Sequence, residues 1–187
     1  MNSRYLCKHH FHVYCQDLAK AQQDWERSMA MGLEAVNAQT PQTAERCFGT
    51  AYDIANIIFD RQISHCSETD NAANTLLSAQ YLATNLVQQR YPEKAQHLLN
   101  QLHEKFSFVC RNPAANKSLR EMLCNCLIPY LEKLYQLTLQ ESAAAKSSPP
   151  SHHLNADKST LSAHEQKTNK RPNAGFNYWQ GGSNLYH

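Results

Sequence analysis

The densest group of reactive side chains lies near the start, in Cys7-Lys8-His9-His10-Phe11-His12-Val13-Tyr14-Cys15. Two thiols and three imidazoles are the ligand types that zinc and copper prefer. On a helix, Cys7 and His10 share one side, His12 and Cys15 a neighbouring one, and His9 pairs with His12. No single helix face collects four of them, and the spacing follows no zinc-finger pattern. A metal site built from Cys7, His9, His10, His12 and Cys15 would therefore need a bent segment or a second chain. Metal binding or sensing by this cluster is the alternative functional expectation.

Other residues offer less. Cys124 and Cys126 point about 200° apart on a helix, which is poor geometry for a mutual disulfide or a shared metal; Cys126 falls on an apolar stripe and is expected in the core. His65-Cys66 sets an imidazole beside a thiol with no third group to orient it. Asp53, Asp60, Glu121 and Glu132 read as isolated, solubilising carboxylates on solvent faces. The five glycines, at 32, 49, 175, 181 and 182, form no phosphate-cradling loop or dinucleotide fingerprint. With no converging acid, base and nucleophile, an enzyme is not expected, and neither is a cofactor.

Composition narrows the classes further. Of 187 residues, 42% are hydrophobic, 18% charged, and only 5 are Gly and 7 Pro. No apolar run approaches the ~20 residues of a membrane span. No signal-peptide pattern opens the chain, so the seven cysteines are expected as reduced thiols in a cytoplasmic protein. Residues 1–141 carry 13 Lys/Arg against 14 Asp/Glu, whereas 142–187 carry 5 against 2. That balance argues against a nucleic-acid-binding core, and Lys167, Lys170 and Arg171 give the tail only a weak basic character.

The chain changes character at about Ser142. Beyond it, Leu154, Leu161 and Leu185 are the only Leu, Ile, Val or Met residues. Such a segment cannot offset an ordering entropy of ~1–2 kcal/mol per residue. The sequence thus divides into a helical domain over 1–141 and a disordered tail over 142–187 ending in an aromatic cluster, Phe176, Tyr178, Trp179 and Tyr186.

Within the domain, apolar residues recur at helical spacing throughout. The stripes are Trp25, Met29, Gly32, Leu33, Val36; Ala44, Cys47, Phe48, Ala51, Ala55, Ile58; Leu76, Ala79, Ala83, Leu86, Val87; Ala95, Leu98, Leu99, Leu102, Phe106, Val109; and Leu119, Met122, Leu123, Cys126, Leu127, Tyr130, Leu131, Leu134. Thr40-Pro41 is a cap-and-first-turn signal, Asp70 or Asn71 a second cap, and Asn112-Pro113 a turn. Pro129 predicts a kink where its ring meets the Asn125 carbonyl. Leu6, His10, Val13, Tyr14, Leu18 and Ala21 fit a first face, either on one long helix running up to Gly32 or on two helices with a corner between them. The fold class is all-α.

Two helix pairs share one pattern. Met31-Gly32, Ala35, Ala44, Phe48 and Ala51 correspond to Leu82-Ala83, Leu86, Ala95, Leu99 and Leu102, with 51 residues between Ala44 and Ala95. Small residues at these places let antiparallel helices approach, and large ones fill the space between hairpins. The pattern resembles the tetratricopeptide repeat over about residues 25–110. It departs in Ala35, Leu99 and Leu102, and in a period longer than the 34 residues of regular arrays.

The resemblance implies stacked antiparallel hairpins capped by the 117–141 helix, the N-terminal segment or a second copy in a homodimer. It also implies a non-catalytic interaction module, adaptor or chaperone-like, with a peptide or partner helix held in a groove between hairpins. First-helix positions would line that groove: Glu26, Met29, Leu33, Val36 and Asn37, then Leu77, Gln80, Thr84, Val87 and Gln88. Glu26, Asn37, Gln80, Thr84 and Gln88 would bond a peptide backbone while Met29 and Leu77 grip its side chains.

Overall fold

The structure, a computed structural model, describes residues 5–62 and 70–147. They form an all-α fold with no strand among them: α1 (Lys8–Gln16), α2 (Leu18–Asn37), α3 (Pro41–Gln62), α4 (Asp70–Gln88), α5 (Pro92–Arg111), α6 (Lys117–Met122) and α7 (Ile128–Ser147). A π-helical turn, Leu123–Leu127, joins the last two. The first segment resolves into two helices with a corner at Asp17, whose extended backbone breaks the ladder and whose carboxylate caps Lys20 N at 2.9 Å.

Helices α2 and α3 form one antiparallel hairpin and α4 and α5 a second. Helix α3 packs on both α2 and α4, and α5 on α4 and α7. Both hairpins begin their turn in the same way. Gln39 (φ 57°) and Arg90 (φ 66°) take the left-handed conformation. Gln39 N donates to Val36 O (3.0 Å) and Thr40 N to Ala35 O (2.9 Å); Arg90 N donates to Val87 O (2.9 Å) and Tyr91 N to Leu86 O (2.8 Å). These paired bonds satisfy the orphan carbonyls at each helix end in a Schellman arrangement, with proline two residues past the left-handed residue. The 51-residue spacing read from the sequence thus recurs in the turns.

Thr40 does precede α3, but its hydroxyl donates back to Ala35 O at 3.1 Å rather than capping α3. It closes the turn from the other side.

The main core holds Phe48, Phe106, Leu82, Leu86, Leu99, Leu102, Leu123 and Leu131, all fully buried. Phe48 stacks on Tyr81 at 5.1 Å and Phe59 meets Phe106 edge-on at 5.6 Å. A smaller cluster, Tyr14, Ala21, Ile54, Ile57 and Ile58, seats α1 and α2 against α3. Trp25 packs against both clusters, and its indole N–H donates to Ser78 Oγ at 2.8 Å.

Helix α7 departs from the expected pattern. Pro129 does not break it; the distortion is the π turn just ahead, where Ile128 N bonds Leu123 O. Widening that turn moves the Asn125 carbonyl away from the proline ring. The extra residue also shifts the register, so Cys126 and Tyr130, expected inside, are exposed while Leu131 is buried. The helix continues past residue 141 to Ser147 with Ser142 buried, so the 141/142 boundary falls inside an element. From residue 148 on, the tail and its aromatic cluster lie outside the described residues, as does His65-Cys66.

Candidate functional site

A groove of about 970 Å³ runs between α3 and α5. Its lining also includes Leu82 and Leu86 of α4 and, from the N-terminal segment, Tyr5 and Phe11. Helix α3 contributes Tyr52, Asp53, Asn56, Ile57 and Asp60, a set at helical spacing. Helix α5 contributes Lys94, His97, Leu98, Gln101, Glu104, Lys105, Phe108 and Arg111. This size and mixture suit a ligand of several side chains.

Tyr5 sits where it does because position 49 has no side chain: a methyl group added at Gly49 would meet the Tyr5 ring. The Tyr5 and Leu6 amides donate to Asp53 Oδ2 at 2.7 and 3.2 Å, which ties the N-terminal segment to α3 beside the groove.

The polar centre is Lys105. Its ammonium lies 2.6 Å from Asp60 Oδ1 and donates to Asn56 Oδ1 at 2.7 Å, beside the Phe59 ring at 5.2 Å. The Lys105 side chain is 17% exposed, and burial lowers its pKa below 10.5 against the opposing pull of Asp60. Asn56, itself buried, is fixed by donating to Tyr52 O at 2.8 Å. An ammonium has three N–H donors, and two acceptors account for two of them. Burial pushes the Tyr52 hydroxyl pKa up to about 12. By contrast Phe108, at the rim, is 69% exposed, the most exposed large hydrophobic residue among those described.

Asp53 and Asp60 are therefore not isolated, although Asp60 is exposed as expected. Glu121 pairs with Lys117 at 3.7 Å, and Glu132 lies 3.3 Å from His103.

None of the first-helix positions implied by the repeat resemblance lines this groove. Met29 is core, 7% exposed, with its sulfur 3.6 Å from Ser78 Oγ. Leu77, Leu33, Val36 and Val87 pack half-buried on the core. Gln80 accepts from Tyr130 Oη at 3.0 Å, and Glu26 from Gln22 at 3.0 Å. Asn37, Thr84 and Gln88 are exposed. Phe108, two residues beyond buried Phe106, was the sequence signal for the groove: a large apolar residue off its helix's inward stripe.

In the N-terminal cluster, Cys7 Sγ lies 3.1 Å from His10 Nδ1, as one-turn spacing requires, and both residues are exposed. Among the described residues no three His, Cys, Asp or Glu side chains gather as a metal site. No described helix is long and apolar enough to cross a membrane. The Cys110 and Cys124 sulfurs are placed against each other, a pairing the sequence did not suggest, while among the described residues Cys7, Cys15, Cys47 and Cys126 stand apart from any other thiol.

Compared with protein-family models, curated proteins and solved structures, the chain matches none.

Proposed function

We propose that this chain is a non-catalytic interaction module that holds a peptide segment of a partner protein in the groove between its two hairpins. The observation that carries the reading is the pairing of exposed Phe108 with the Lys105–Asn56–Asp60 cluster in the groove lining. An exposed aromatic beside a largely buried, charge-paired lysine has the composition of a binding hot spot. The third Lys105 N–H is a donor for a peptide carbonyl or carboxylate, and exposed Phe108 is the apolar contact for its side chains. Second helices of the hairpins, not the first, carry this surface. The matching turns support a tetratricopeptide-like organisation.

Panning a displayed random-peptide library against the full chain tests the reading. Enriched peptides should lose about tenfold or more in affinity, ~1.4 kcal/mol, for Phe108→Glu. Helicity should be unchanged, and Thr84→Glu should bind as wild type. Peptides insensitive to Phe108→Glu but lost in Thr84→Glu would move the site to the α2/α4 surface. No enrichment at all would sink the interaction reading.

A further inference from the structure

Cys110 lies in the last turn of the helix that carries the groove rim, α5, one residue before its final residue Arg111 and two after Phe108. Cys124 lies in the π turn, and the two sulfurs face each other with Cα atoms 6.3 Å apart, inside the ~4.4–6.8 Å that a disulfide can bridge. We propose that this pair is a reversible redox clasp: oxidised, it pins the last turn of α5 to the π turn, and reduced, it frees that turn and the groove rim it carries. The effect on the groove rests on the function proposed above; the clasp itself does not.

Several observations favour reversibility over a permanent cross-link. The Cys124 residue is exposed, so a small thiol or disulfide can reach it, whereas Cys110 is half-buried with its sulfur 3.7 Å from the Arg120 carbonyl oxygen. The partner element is a π turn, a helix form that is rare and occurs mostly as single turns at functional sites. Arg120 Nε, in the adjoining turn, is buried with no hydrogen-bond partner, so this corner is not packed to full satisfaction. Among the described residues four other cysteines are unpaired, and Cys126, only two residues from Cys124, is a competing thiol close by.

The exchange needs a small disulfide such as oxidised glutathione. The Cys124 thiol, losing its proton, attacks one sulfur of that disulfide and expels one glutathione thiolate. Cys110, losing its proton, then attacks Cys124 Sγ of the mixed disulfide and expels the second. Two protein thiols give up two electrons and two protons, and one glutathione disulfide becomes two glutathiones.

The test equilibrates the full chain across reduced-to-oxidised glutathione ratios, traps free thiols by alkylation and maps them by mass spectrometry. The Cys110–Cys124 link should form at the oxidising end and disappear at the reducing end. Cys126→Ser should leave this titration unchanged, and Cys124→Ser should leave Cys110 alkylated throughout. A link that persists at every ratio, or never forms, or forms with Cys126 instead, overturns the clasp. Hydrogen exchange reads the coupling: amides of residues 106–111 should exchange at least about tenfold faster in the reduced chain, a loss of ~1.4 kcal/mol of local protection. Equal exchange in both states overturns the control of the rim while leaving the peptide-binding reading standing.

Discussion

The Phe48 ring occupies the space that a side chain at position 32 would need: a methyl group added at Gly32 would lie within 3.0 Å of three of its carbons. Phe48 is fully buried and stacks in turn on Tyr81, so the ring has little room to retreat. Two effects compete in Gly32→Ala. Alanine in mid-helix gains about 1 kcal/mol of propensity over glycine, whereas overpacking a tight core costs about 1–3 kcal/mol. Because α2 and α3 are in direct contact here, the clash should win and the variant should unfold at lower urea. Gly32→Ala combined with Phe48→Leu should recover part of the loss, since the two sites share one space. A Gly32→Ala protein at least as stable as wild type would show that the hairpin does not depend on this approach.

Gln39 and Arg90 allow a separate test of the hairpin turns. Each holds a left-handed backbone, at φ 57° and 66°, without being glycine. That conformation costs a residue with Cβ about 1–2 kcal/mol. Glycine removes the strain but adds freedom to the unfolded chain worth ~0.4–1 kcal/mol. Gln39→Gly and Arg90→Gly should each raise stability by roughly 0.5–1 kcal/mol and act additively. Their effects should be equal because the turns are the same. Destabilisation by either would mean that its side chain makes a contact worth more than the strain.

Much of the helical frame was legible because it is written in local periodicity. Phe48, Leu102 and Phe106 recur on their stripes, and Pro41 and Pro92 open their helices where the turn signals end. The groove was not legible, for a physical reason. Lys105 reads as surface charge until Asp60 and Asn56, more than forty residues away, make its burial tolerable. Asn56 likewise interrupts the stripe between Ala55 and Ile57 and looks like noise until its partner is known. The Cys110–Cys124 pair depends on the turn between α5 and α6, where Asn116 caps Ser118 N at 2.8 Å and fixes the return path. The first-helix site residues came from a register borrowed by resemblance, and that register places Met29 in the core.

The Lys105 cluster should leave a signature in the pH dependence of stability. Burial lowers the Lys105 pKa in the folded protein below 10.5, so the folded state binds fewer protons here than the unfolded state does. Stability from this group therefore increases as pH rises from the folded pKa toward 10.5, and is lost as pH falls. Tyr14 and Tyr52 act oppositely: burial raises both to about 12, so their contribution is full below 10 and is lost above it. Subtracting Lys105→Met from wild type cancels the tyrosines. Urea unfolding of both proteins on the approach to pH 10.5 should show the wild type gaining on the variant. A pH-independent difference would mean that the ammonium is fully solvated.

Pro129→Ala asks whether the proline or the docking of α7 holds the π turn. Alanine restores an amide donor, whose helical bond is worth about 1 kcal/mol net, and removes the ring from the Asn125 carbonyl. Were the turn to revert to α-helix, the register of everything beyond it would rotate by one residue, about 100°. Leu131, 1% exposed, would leave the core at a cost of ~1.5–3 kcal/mol. The Tyr130–Gln80 and His103–Glu132 contacts would be lost with it. Packing outweighs the single bond, so the π turn should persist in the variant. The expected outcome is a stability within about 1 kcal/mol of wild type, with Cys126 still exposed and still alkylated as fast as in wild type. Protection of Cys126 together with a loss of stability would show instead that Pro129 sets the register, and that α7 docks where the proline sends it.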